Sequence, residues 1–302
     1  MTITTAPAWR LGLALAVAGP ILSLSAQGAR YDSSLVVTTA WLAAHQADTG
    51  MVLLQVASND SSYRDGHIPG ARLVHFQSIA VPAAGLSVEL PPVDSLRRVF
   101  EAAGVSTESH VVLTGSPLEV SRAFFTLEYL GLSGVSVLDG GIRRWRAEHR
   151  AIDRSIPAVV AGHLLPHPRP ELVVQAPWVF ERLGKPRVAL VDMRREDEYL
   201  GLPGAGTRGH VPGAVWLEWQ EQFRETSEFS LKDRAELAAA WRRRAAPGDT
   251  VVVYCRTGHR ASSGYLVARL LGYPVRLYDG SYEDWSAKGL PLVTPPTALR
   301  TP

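Results

Sequence analysis

The chain repeats itself once, at a spacing of about 140 residues, and this constrains its fold more than any other feature. Gly66-His67-Ile68-Pro69-Gly70-Ala71 recurs as Gly209-His210-Val211-Pro212-Gly213-Ala214. Leu138-Asp139-Gly140-Gly141, followed by Trp145, recurs as Tyr278-Asp279-Gly280-Ser281, followed by Trp285. Between these anchors, Leu127-Glu128-Tyr129-Leu130-Gly131 answers Ala268-Arg269-Leu270-Leu271-Gly272. A period this long is a duplicated domain and not a short solenoid repeat. The 302 residues give each copy enough chain to bury its own core. The copies are expected over residues 33–150 and 173–295. Residues 151–172 belong to neither, and Pro157, Pro166, Pro168 and Pro170 make them a linker.

Each copy alternates short β-branched runs with segments of helical period. In the second copy, strands are expected over 188–191, 250–254 and 275–278, and helices over 231–244, 261–271 and 282–288. Tyr265, Leu266, Ala268 and Leu270 are core candidates. Strands without polar alternation, separated by helices, indicate a parallel sheet covered on both faces. The expected fold class is therefore α/β, two tandem domains of this kind.

The amino terminus reads as an address. Arg10 precedes a run of small and apolar residues over 11–26, and Ser25, Ala26, Gly28 and Ala29 give a small-residue exit. Residues 1–28 have the order of a signal peptide, which places the mature protein outside the cytoplasm, in a bacterial periplasm. The alternative is an uncleaved anchor, for which the apolar run is short. Removing residues 1–28 leaves a net charge of +1, and no later segment approaches membrane-span length, so neither nucleic acid nor membrane insertion is an expected partner.

The single cysteine, Cys255, excludes an intramolecular disulfide and a cysteine-based metal site within one chain. It ends the run Val251-Val252-Val253-Tyr254 and precedes Arg256-Thr257-Gly258-His259-Arg260, where a helix begins. The carboxyl end of a parallel strand facing a helix N-terminus is where open α/β sheets bind ligands. A tight turn there points successive backbone N–H groups inward and adds the positive end of the helix dipole. Both favour an anion, and both favour the thiolate of a cysteine at the start of the turn. A structural cysteine at a strand end would not explain why Arg256, His259 and Arg260 crowd the same five residues. No cofactor or metal is called for. His163 and His167 lie in the linker, His67 and His210 in the repeated turn, and none of them completes a ligand set.

The Cys-Arg-x-Gly-x-Arg turn after an apolar strand, the upstream Val191-Asp192-Met193-Arg194 and the Gly-His-Val-Pro-Gly-Ala segment together resemble the rhodanese (thiosulfate sulfurtransferase) family in its tandem form. The resemblance runs from about Ser33 to Pro295 and implies a catalytic second domain. It implies that Cys255 carries a persulfide and that Arg256, Thr257, Gly258, His259 and Arg260 cradle it and the anionic end of thiosulfate. Asp192 and Arg194 would be the supporting pair on a neighbouring strand, with Arg194 holding the loop or the substrate. Sulfur would then pass to cyanide or a thiol, or to a protein acceptor, in a ping-pong cycle. Animal rhodaneses have an arginine ahead of the Tyr-Leu-Gly run. Glu198 stands there before Tyr199-Leu200-Gly201, which leaves a second cationic contact to Arg256 or Arg260. Mercaptopyruvate-specific relatives carry Cys-Gly-Ser-Gly-Val in the loop, so Arg256 and Thr257 favour an inorganic donor.

Aligning the strands by their apolar runs sets Thr114 opposite Cys255, Gln55 opposite Asp192 and Ala57 opposite Arg194, which makes the first copy catalytically inactive. A cysteine phosphatase needs five residues between cysteine and arginine, and the position six after Cys255 is Ala261. A 3-mercaptopyruvate sulfurtransferase and a persulfide carrier without turnover remain as alternatives.

Overall fold

In a computed structural model, residues 1–2 and 31–294 are described. The segment read as an export signal lies, apart from its first two residues, outside the described residues.

The first half runs β1 (Val36–Val37), α1 (Thr39–His45), β2 (Met51–Ala57), α2 (Ser61–Arg64), β3 (Arg72–His75), β4 (Val81–Ala83), β5 (Leu86–Glu89) and α3 (Val93–Ala102). It finishes with β6 (His110–Gly115), α4 (Pro117–Tyr129), β7 (Val135–Leu138) and α5 (Gly141–Ala147). The second half repeats that order: β8 (Val173–Val174), α6 (Ala176–Phe180), β9 (Val188–Asp192), α7 (Glu196–Leu200), β10 (Val215–Trp216), β11 (Phe223–Glu225), β12 (Ser230–Leu231) and α8 (Arg234–Arg242). β13 (Thr250–Tyr254), α9 (His259–Leu270), β14 (Val275–Tyr278) and α10 (Ser281–Ala287) complete it. The five-stranded sheets are β1-β7-β6-β2-β3 and β8-β14-β13-β9-β10, parallel throughout, the same topology twice.

Successive residues of each central strand feed different cores, which is why these strands show no polar alternation. Val111 and Leu113 of β6 join a core shared by both halves, whereas Val112 joins Leu42, Leu138 and Trp145 on the outer face. In the second half Val251 and Val253 face the shared core, and Val252 and Tyr254 the outer one. At the centre α4 packs on α9, with Phe125 edge-on to Tyr265 at 4.9 Å. α9 is buried nearly all round, as a helix between two sheets must be.

Two expectations change. The helix expected over 231–244 starts at Arg234, because Ser230 and Leu231 pair with β11 and Asp233 and Glu236 form a capping box. The first-half counterpart of Cys255 is Gly115 and not Thr114. Thr114 pairs with Gln55 as Tyr254 pairs with Asp192, so the apolar-run alignment slips by one. Gly115 has φ +142°, and a Cβ there would strike the carbonyl of Val56. No nucleophile fits at that point of the first half.

Residues 151–172 lie along the first half. Asp153 bridges to His67, Gly162 donates to the Glu101 carbonyl, and His167 donates to that of Leu130. The two hairpins cross over reciprocally. Leu90, after β5, donates its amide to Asp279 at 3.0 Å, and Leu231 donates its own to Asp139 at 3.2 Å.

Candidate active site

Cys255 follows β13 directly and is fully buried. Its amide donates to Ser281 Oγ at 3.1 Å, and its carbonyl accepts from the Tyr282 amide. The Arg256 carbonyl accepts from Glu283. The loop's first carbonyls are therefore tied to the start of α10. Ser281 sits at φ +54°, a left-handed conformation unusual for a side-chain-bearing residue, and its hydroxyl donates to the Tyr278 carbonyl. It is a positioning residue that joins β14 to the cysteine.

The amides are left facing inward. Among the described residues, none of the backbone N–H groups from Arg256 to Ala261 donates to a protein acceptor, and the next, Ser262, returns to the Gly258 carbonyl. Together with the N-terminus of a twelve-residue helix this is an anion cradle. Gly258 closes the turn at φ +84°, where a Cβ would collide with Asp279. Asp279 is itself buried and held by Arg122 of the first half, through Nη1–Oδ1 at 2.5 Å and Nη2–Oδ2 at 3.1 Å.

The charged residues expected in the cradle take different places. Arg256 is exposed and runs past Gly206, and Thr257 is half-buried. Arg260 is paired with Glu198. Burial works against the ionised Glu198, but the Arg260 pair outweighs it and holds the carboxyl below its ordinary range. Burial likewise opposes the charge on Arg260, and Glu198 and Cys255 more than offset it. The His259 ring leaves the loop to stack on Phe76 of the first half at 4.1 Å. Burial, then Arg122 and Arg260, push it down to about 4, so it is neutral at pH 7. What His259 gives the cradle is its amide.

Beneath the loop, Asp192 and Arg194 form a fully buried pair, with Nη2–Oδ2 at 2.6 Å and Nε–Oδ1 at 2.9 Å. Tyr254 donates its hydroxyl to Asp192 at 2.6 Å, and Arg194 also donates to the Gly209 carbonyl and stacks on Tyr282. Its Nη1 is buried and meets no acceptor among the described residues. The repeated Gly-His turn is structural in both copies. His67 and His210 stack at 3.8 Å on Tyr63 and Tyr199 and bond to those residues' carbonyls.

Sequence reading missed Ser281, Arg122 and Asp279 as parts of this site. Asp279 and Ser281 lie in a repeated segment, which was the available signal; Arg122 gave none.

The chain is similar to known proteins in both sequence and fold. The family model described as Rhodanese-like domain matches residues 38–148 and 175–288. A thiosulfate sulfurtransferase of Pseudomonas aeruginosa is 33% identical, over 84% of this chain and 94% of its own length. The sulfur carrier protein TtuD of Thermus thermophilus is 30% identical, over 85% and 96%. Among solved structures, the 3-mercaptopyruvate sulfotransferase SseA of Escherichia coli superposes with a TM-score of 0.72 at 26% identity, over 82% of this chain and 98% of that one.

Proposed function

The chain belongs to the rhodanese-like domain family as a sulfurtransferase, and on that premise we propose that it moves the outer sulfur of thiosulfate to a small nucleophile through a persulfide on Cys255. The observation that carries the reading is the row of amides over residues 256–261, unpartnered among the described residues, beside a buried cysteine. Such a row stabilises a dianion without a general base, and the neutral His259 ring, turned to Phe76, supplies none.

The Cys255 thiolate attacks the outer sulfur of thiosulfate. The Sγ–S bond forms as the donor's S–S bond breaks, and sulfite leaves with that electron pair. The terminal persulfide sulfur then carries the negative charge over the same amides and the α9 dipole. Cyanide or a thiolate attacks that sulfur, the persulfide bond breaks, and the Cys255 thiolate returns. Arg256, exposed at the mouth, is suited to draw the donor in, and Arg194 fixes Asp192 and Tyr254 under the loop. The same reading has residues 1–28 direct export to a periplasm; the amino-terminal sequence of the processed protein tests this.

A second reading, transfer to a protein acceptor, is supported by the likeness to the Thermus thermophilus sulfur carrier. The burial of Cys255 favours small acceptors. Steady-state rates with thiosulfate and 3-mercaptopyruvate at equal acceptor concentration test the donor. The reading expects a higher kcat/KM with thiosulfate, and the reverse order would replace it.

A further inference from the structure

The strand-end cleft of the first half, the counterpart of the Cys255 loop, holds a cavity of about 290 Å³. Its walls include Gln55, Thr114, Ser116, Glu119, Arg146 and Glu228. Three of these bring buried polar atoms that meet no partner among the described residues: Gln55 Oε1, Thr114 Oγ1 and Glu228 Oε2. Gln55 is 5% exposed and Thr114 1%, so neither is free to turn to solvent. An orphaned buried polar group costs on the order of 1–3 kcal/mol. Three around one cavity mark a place where water or a bound ligand can supply the missing partners.

The polarity is the reverse of the catalytic loop. α4 begins with Pro117, two residues after Gly115, and proline has no N–H to add to a row of amides. Glu119 stands in the first turn of α4, where its carboxylate accepts from the Ser58 and Ser116 hydroxyls. Glu228 arrives from the turn between β11 and β12 of the other half and lies against Gly141, where α5 starts. Asp65 is a third acid in the wall, and Arg146, the facing cation, donates to the Gly66 carbonyl. Burial pushes the Glu228 carboxyl up to about 7, against the charges of Arg146 and Arg143 and a hydrogen bond from the Ile142 amide.

We infer that this cavity binds a small compound carrying a primary ammonium group, whose three N–H bonds are directed at Glu228 Oε2, Thr114 Oγ1 and the Gln55 side-chain amide. An ammonium has three donors and no acceptor, which matches a carboxylate oxygen, a hydroxyl and an amide oxygen. The volume is roughly ten times the ~30 Å³ that one water occupies in the liquid, and it admits a molecule of the size of a small amino acid. Arg146 lies at hand for that molecule's carboxylate. Because Glu228 comes from one half and Gln55 and Thr114 from the other, the ligand fastens the halves together. None of residues 255–260 takes part, so the inference goes beyond the sulfur chemistry and does not depend on it.

Thermal unfolding of the full chain tests it, at constant ionic strength, with methylammonium, glycine and tetramethylammonium as probes. A ligand that binds the native state raises Tm with concentration. Methylammonium and glycine are expected to give saturable rises, and tetramethylammonium, which has no N–H, none. Glu228→Gln keeps the shape of its side chain and Thr114→Val its volume, and each is expected to weaken binding about tenfold or more, the scale of one charge-assisted hydrogen bond. Cys255→Ser is expected to bind as the parent does. No saturable rise up to about 100 mM probe, well above a millimolar Kd, would overturn the inference. So would equal rises from all three probes, or unchanged binding in whichever of the two variants folds.

Discussion

Arg260 and Glu198, 62 residues apart in the chain, meet in a two-pronged pair, with Nη1–Oε2 at 2.5 Å and Nη2–Oε1 at 2.8 Å. The position that reads in sequence as the loss of a cationic contact is the residue that anchors the last arginine of the cysteine loop. On the proposed reading the donor meets backbone amides and Arg256, while Arg260, paired with Glu198, fixes the loop's shape. Glu198→Gln is expected to lower stability by about 1.5–3 kcal/mol, the range for hydrogen bonds to charged groups. The carboxyl is held below its ordinary 4.5, so its contribution is present above that pH and is lost as pH falls through the lower folded value. Denaturant unfolding of parent and variant should show a difference that shrinks in acid below about 4.5.

The Arg122–Asp279 pair is buried on both sides and joins the halves directly behind Gly258. Arg122→Ala would leave Asp279 buried without its cation and is expected to cost about 3–5 kcal/mol. Replacing both by neutral residues, Arg122→Met with Asp279→Asn, which keeps an acceptor for the Leu90 amide, should recover most of that. Equilibrium unfolding of the parent and the two variants measures both.

His259 is held neutral in the folded protein, at about 4, whereas an unfolded chain takes up a proton near 6.5. The unfolded state thus binds more protons between those values, and stability falls as pH drops from about 6.5 toward 4. His259→Phe should flatten that part of the stability profile. It should also keep kcat/KM within a few-fold, since the ring lies on Phe76 and away from the cradle. Stability and rate measured from pH 4.5 to 8 decide both.

Much of the fold was legible because it depends on local pattern. The runs over 250–254 and 275–278 are buried on both faces and became β13 and β14 with the same bounds. The start of α8 was not legible, since Leu231 is drawn into a hairpin that crosses to Asp139 of the other half. Apolar runs place a strand but not its register, and so Thr114 was set where Gly115 stands. At the site, Cys255 and its loop announce themselves by adjacency. The hydrogen bonds that hold the loop and its support, Ser281 to Cys255, Glu198 to Arg260 and Arg122 to Asp279, span 26 residues or more, and no local spacing records them.

Cys255 is the only cysteine and has no exposed surface, so thiol labelling reports on this one sulfur. Bulky disulfide reagents should react slowly with the folded protein and rapidly after denaturation, and iodoacetamide should show a smaller difference. Immediate quantitative labelling of the native protein by a bulky reagent would contradict the buried geometry.

The most direct measurement is the intact mass of the protein before and after thiosulfate, then after cyanide, with Cys255→Ser as control. The account predicts a gain of one sulfur atom on the parent and none on the variant, with cyanide removing that sulfur as thiocyanate through repeated cycles. A parent that gains no sulfur, or a Cys255→Ser protein that gains it equally, would contradict the assignment of Cys255 as the sulfur carrier in this site.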